Sequence, residues 1–131
     1  MSSAGRFRAR PGRAEYDRAW VKIAILGGGG FRVPLVYGAL LARAERLGLE
    51  HVSLYDVDPS RLARIVPVLE GLRQARGTKL DFAETTDLDV ALDGADFVFC
   101  AIRVGKLEGR VVDERVAIDE GVVGQETTGP G

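Results

Sequence analysis

Four consecutive glycines, Gly27 to Gly30, follow the apolar run Val21-Lys22-Ile23-Ala24-Ile25-Leu26 and precede an amphipathic stretch with Pro34 near its start. The pattern reads as strand, tight turn and helix. That order brings bare backbone N–H groups and the positive end of a helix dipole to one point, which suits an anion. Glycines also leave room for a pyrophosphate to approach the backbone. Gly27-x-Gly29 begins the G-x-G-x-x-G dinucleotide pattern, but its third position is Arg32; the register Gly28-x-Gly30 puts Val33 there. Asp56 ends the next apolar run, His51–Tyr55, where a carboxylate can accept hydrogen bonds from ribose hydroxyls. A carboxylate there repels a 2′-phosphate, so NAD is favoured over NADP. The competing reading is that Asp56 and Asp58 only open the turn into the following helix. Gly27, Gly28, Gly29, Gly30 and Phe31, with Asp56, are the candidate cofactor contacts. A kinase-type phosphate loop is disfavoured, because Phe31-Arg32-Val33-Pro34 stands where Gly-Lys-Ser/Thr is required.

A second set of reactive groups comes late in the chain. Arg103, Lys106 and Arg110 follow the apolar run Phe97–Ile102. Three cations leaving the end of a strand suit an anionic ligand, either cofactor phosphates or a phosphorylated substrate; a solvated basic loop is the plainer alternative. Gln125-Glu126-Thr127 lies between glycines, in a loop that could present a carboxylate and an amide to a ligand.

The elements that must position these groups follow from periodicity. Val36, Leu40, Ala44 and Leu47, widened by Leu35 and Leu41, predict one helix ending at Gly48. His51–Tyr55 is strand two. Asp58 and Pro59 predict a helix start, and Leu62, Ile65, Val66, Leu69 and Leu72 carry that helix to Gly77. Residues 79–84 are a weak third strand. Thr86 or Asp87 caps a short helix through Leu92, and Phe97–Ile102 reads as a buried fourth strand holding Cys100 as a small core residue. Residues 111–120 read as a helix with Val112, Val116 and Ile118 facing inward. The fold class is therefore α/β, a Rossmann-type parallel sheet wrapped by helices, with strand order 3-2-1-4 and incomplete beyond its fourth strand.

The 131 residues fit one domain, and the net charge of -1 gives no reason to expect nucleic acid or an anionic membrane as the main partner. No apolar run approaches the roughly 18 residues that span a bilayer. A single cysteine rules out an internal disulfide and fits a reducing compartment. Residues 1–19 hold Arg6, Arg8, Arg10, Arg13 and Arg18 against Glu15 and Asp17. They read as a basic disordered leader, with an organelle transit peptide as the alternative. Residues 20–131 read as a cofactor-binding domain, and the glycine- and threonine-rich close suggests the front part of a larger protein.

Taken together, Gly27–Gly30, Leu54-Tyr55-Asp56, Ala95-Asp96-Phe97-Val98, Arg103-Val104-Gly105-Lys106 with Arg110, Asp113-Glu114, and the passage Gly121 to Gly131 resemble glycoside hydrolase family 4, within it the 6-phospho-β- and 6-phospho-α-glucosidases. The family departs from the two-carboxylate scheme of most glycosidases. The resemblance implies hydrolysis of 6-phosphoglucosides by redox elimination: hydride passes from sugar C3 to NAD, the C2 proton is removed, the aglycone leaves, and Mn²⁺ stabilises the charge that develops. It implies that Gly27–Gly30 and Asp56 serve NAD, and that Arg110 binds substrate. It further implies that Glu126 supports a catalytic tyrosine, and that Arg103 and Lys106 line the cofactor or phosphate region. The family's metal ligands, acid and base fall beyond this stretch, so the 131 residues are expected to hold no metal and to be inactive alone. A cytoplasmic, homo-oligomeric whole protein is expected. Two other readings are the cofactor domain of a lactate- or malate-type 2-hydroxy-acid dehydrogenase and a non-catalytic nucleotide-binding module.

Overall fold

A computed structural model describes residues 20–123. The chain divides between Ala101 and Ile102 into two compact units. The first contains β1 (Val21–Leu26), α1 (Val33–Leu41), α2 (Ala44–Leu47), β2 (Leu49–Tyr55), α3 (Pro59–Arg76), β3 (Asp81–Thr85), α4 (Leu88–Leu92) and β4 (Phe97–Cys100); the second contains α5 (Lys106–Asp119).

The first unit is a four-stranded parallel sheet in the order β3-β2-β1-β4, flanked by helices in the Rossmann manner. Parallel pairing aligns the carboxyl ends of the strands: Leu26 lies beside Tyr55 and Cys100, and Tyr55 beside Thr85. The central strands supply the core because both their faces are covered. Ala24, Ile25, Val52 and Leu54 are fully buried, and Leu62 and Leu69 of α3 join Ile25, Val52 and Leu54 in one core cluster. Asp58 caps α3 by accepting from the Ser60 N–H at 2.9 Å, Pro59 occupies its first turn, and Gly77 ends it in the left-handed conformation at φ 62°.

Several elements differ from the sequence pattern. The first predicted helix is two helices, because Arg43 leaves the helical region at φ -126°. Its buried face is Val33, Tyr37, Leu41 and Ala44, while Leu35 and Leu47 are exposed. Tyr37 enters the core because its hydroxyl has a partner there, donating to the Leu80 carbonyl at 3.1 Å, and because its ring meets Phe82 edge-on at 5.4 Å. Lys22, the one charged residue of β1, is buried as well. Its ammonium donates to the Asp93 carbonyl and its N–H to Asp96 Oδ2 at 2.9 Å, which pins the turn entering β4. β4 is not a buried strand. Among the described residues it pairs only with β1, and Phe97, Val98, Phe99 and Cys100 are all exposed, so Cys100 is not a core residue.

In the second unit, α5 begins five residues earlier than the sequence pattern predicts and has no buried residue; Val112, Val116 and Ile118 do not face a core. Gly105 at φ 78° precedes it. A Cβ on Gly105 would lie 3.0 Å from Gly109 Cα, and one on Gly109 would lie 3.0 Å from the Val104 carbonyl. Two glycines thus let residues 104–105 fold tightly onto the first turn.

Candidate functional site

The carboxyl ends of β1 and β2 meet at the glycine turn. Gly27, at φ 87°, and Gly28 both donate their N–H groups to the Tyr55 carbonyl, at 2.8 and 2.7 Å. Gly29 N–H donates to Asp56 Oδ2 at 3.0 Å, and Gly30 N–H to the Gly27 carbonyl at 2.9 Å. Val33 N–H then donates to the Gly30 carbonyl at 3.0 Å. The turn is thus tied to β2 and to itself through every glycine N–H. The N–H groups of Phe31 and Arg32, at the start of α1, donate to no described residue. Arg32 is the N-cap of α1 and its side chain makes no capping hydrogen bond. Two N–H groups at a helix N-terminus with no partner among the described residues suit an anion such as a pyrophosphate. This geometry fits a dinucleotide.

The glycines have a reason beyond ligand access. A Cβ on Gly28 would stand 2.8 Å from Leu54 Cβ and 3.0 Å from the Leu54 backbone. One on Gly29 would stand 2.4 Å from Arg61 Cβ and 2.9 Å from Asp56 Oδ2. Both positions must be glycine so that the turn can lie against β2 and the first turn of α3.

Asp56 is only 3% exposed. Its Oδ2 accepts from Gly29 N–H and its Oδ1 from Asp58 N–H at 3.1 Å, so the carboxylate clamps the glycine turn to the entry of α3. The reading of Asp56 as the opening of the turn into α3 is thus borne out, and the same side chain lies beside the glycine turn. Arg61 Nε lies 3.8 Å from Oδ2. The sequence reading missed Arg61; the signal was its position in the first turn of the helix that follows the acidic residue.

Phe31 is exposed, with the Arg32 guanidinium 5.2 Å from its ring centroid. Gly27–Gly30, Phe31 and Asp56 are thus brought together in the first unit. Arg103, Lys106 and Arg110 belong to the second. There, Lys106 has φ 53°, a left-handed conformation that costs a side-chain-bearing residue about 1–2 kcal/mol. Arg110 Nε donates to Glu114 Oε1 at 2.6 Å, one turn along α5. Glu126 lies outside the described residues. Among the described residues no group of three His, Cys, Asp or Glu side chains could hold a metal ion, and no helix is long and apolar enough to cross a membrane.

The sequence profile of the Family 4 glycosyl hydrolases matches residues 22–131. The chain is 39% identical over 109 residues to 6-phospho-alpha-glucosidase 1 of Lacticaseibacillus paracasei, covering 83% of this chain and 25% of that one. Among solved structures it is similar to a 6-phospho-alpha-glucosidase from gut microorganisms in complex with NAD and Mn²⁺, with a TM-score of 0.72, 32% identity, and coverage of 85% of this chain and 25% of that one. It is also similar to the 6-phospho-beta glucosidase of Thermotoga maritima with NAD and glucose-6-phosphate, with a TM-score of 0.73, 30% identity, and coverage of 85% and 26%. The chain spans about a quarter of the length of the curated relatives it matches.

Proposed function

The chain belongs to the family 4 glycosyl hydrolases, and on that premise we propose that it forms the NAD-binding part of a 6-phosphoglucosidase. The observation that carries this reading is the glycine turn at the head of α1, where the Phe31 and Arg32 N–H groups are left without a described partner. They receive the pyrophosphate of the cofactor, and the positive end of α1 adds to the attraction. Asp56 keeps the turn in the shape that aims those groups. When bound, NAD supplies a hydride acceptor for C3 of the sugar, and the hydride returns at the end of the cycle.

Arg110 binds the phosphorylated sugar, Arg103 and Lys106 line the cofactor or phosphate region, and Glu126 supports a catalytic tyrosine that this chain does not contain. The family's Mn²⁺ has no seat among the described residues. A cytoplasmic, homo-oligomeric whole protein completes the proposal, on the family resemblance alone. Relatives crystallised with glucose-6-phosphate support the substrate class.

Isothermal titration of the 131-residue chain with NAD is expected to show one site, and absence of binding by a chain that circular dichroism shows to be folded would overturn the assignment. The same chain supplied with NAD, Mn²⁺ and a nitrophenyl 6-phosphoglucoside is expected to release no nitrophenol. Turnover would show that the catalytic groups lie within these residues after all.

A further inference from the structure

We infer that the cofactor site of this chain does not discriminate strongly against a 2′-phosphate, and that Arg61 is the residue that admits it. The inference rests on the dinucleotide reading above and extends it to the adenosine ribose. A carboxylate at the end of the second strand selects NAD when it is open to the ribose, because it accepts from the hydroxyls and repels a 2′-phosphate. Asp56 is not open. It is 3% exposed, and both its oxygens accept backbone N–H groups, from Gly29 and Asp58. The Arg61 guanidinium, with Nε 3.8 Å from Oδ2, offsets its charge. The next carboxylate along the chain, Asp58, accepts from both the N–H and the hydroxyl of Ser60 through Oδ1, at 2.9 and 2.7 Å.

Arg61 has the opposite character. Its Cβ lies against Gly29, where an added methyl would come within 2.4 Å, so the side chain starts at the wall of the glycine turn. It is 38% exposed, and its guanidinium donates no hydrogen bond to a described residue. A planar guanidinium with unspent donors, beside a carboxylate whose two oxygens both accept backbone N–H groups, matches a phosphate monoester, which it can hold through two parallel N–H···O bonds.

The test is titration of the chain and of its Arg61→Ala and Arg61→Lys variants with NAD and with NADP, reading the ratio of the two dissociation constants. In the unaltered chain, NADP is expected to bind within about tenfold of NAD. Arg61→Ala is expected to raise the NADP-to-NAD ratio by about tenfold or more, the loss typical of a charge-assisted hydrogen bond, with Arg61→Lys in between. If the unaltered chain binds NAD but NADP more than about tenfold more weakly, the inference fails and the cofactor reading stands. If Arg61→Ala weakens both ligands equally, Arg61 only supports the turn and the inference also fails. Binding of neither nucleotide by the folded, unaltered chain would remove the cofactor reading and this inference together. The ratio in the unaltered chain decides the matter even if a variant does not fold.

Discussion

Replacing Gly29 with alanine tests whether the glycine turn is held by the chain's own packing. The new Cβ would lie 2.4 Å from Arg61 Cβ and 3.0 Å from Arg61 backbone carbon. Carbon atoms rest at about 3.5–4.0 Å, so the first turn of α3 would have to retreat by about 1 Å. That turn is poorly placed to move. Asp58 and Pro59 fix its start, and Leu62 is anchored in the core at 3% exposure. Overpacking of this kind costs about 1–3 kcal/mol. The Cβ would also stand 2.9 Å from Asp56 Oδ2, disturbing a charge-assisted hydrogen bond worth about 1.5–3 kcal/mol when wholly lost. The expected destabilisation is about 2–4 kcal/mol, read as a lower urea midpoint with unchanged slope. The control is Gly71, which lies inside α3 with nothing within 4 Å of its added Cβ. Gly71→Ala is expected to stabilise by about 0.5–1 kcal/mol, the usual gain in a helix interior. If Gly29→Ala left the midpoint unchanged, or if Gly71→Ala lowered it as much, the close-packing account of the turn would be wrong.

Two ionisable side chains make the fold pH-dependent in opposite ranges. Burial pushes the Tyr37 hydroxyl up to about 12 from an ordinary 10.0, with Arg73 opposing and Asp81 and Glu70 adding to the rise. The folded state therefore keeps a proton that the unfolded chain gives up, and Tyr37's contribution, complete below pH 10, is lost as pH climbs toward 12. The loss is about 2–3 kcal/mol. Tyr37→Phe is expected to have a flatter alkaline stability profile than the unaltered chain, and parallel profiles would refute the assignment. Burial, reinforced by Lys22 and opposed by Asp81, holds His51 below its ordinary 6.5. The unfolded chain then takes up a proton at a pH where the folded one does not, so stability is full above about 6.5 and falls as pH drops below it. His51 is the only histidine in the chain, which makes urea midpoints at pH 7.5, 6.5 and 5.5 a clean readout. No loss on acidification would contradict this account.

What the sequence made legible, and what it did not, divides along local against non-local causes. Asp58, Pro59 and Gly77 act on their own helix, so the span of α3 could be read residue by residue. The strand order followed from short β–α–β connections, which leave few topologies open. Tyr37 and Lys22 were not legible. Each is buried because of a partner distant in the chain, the Leu80 carbonyl for one and the Asp93 and Asp96 groups for the other. Periodicity counts side chains by type and cannot see such a partner. The order 3-2-1-4 already left β4 at the edge of the sheet, but its apolar run pointed to burial. An apolar run records that its residues are compatible with burial, whereas burial itself depends on what lies beside the strand, and among the described residues Phe97–Cys100 has only β1 as a neighbouring strand.

The same distinction resolves the irregular glycine motif. In the dinucleotide pattern the third glycine allows a helix to pack closely on a strand, and Arg32 in that place looks like a defect. Arg32 is exposed, with φ -82°, a backbone conformation open to any residue. No positive φ and no close contact asks for a glycine there. Close packing is instead imposed at Gly28 by Leu54 and at Gly29 by Arg61. Residues 31 and 32 offer a ligand their N–H groups alone, and a backbone N–H is the same whichever side chain it carries. The chain can therefore carry Phe31 and Arg32 beside the glycine turn without losing the N–H donors that the proposed dinucleotide site needs, and the irregular third position ceases to count against that proposal.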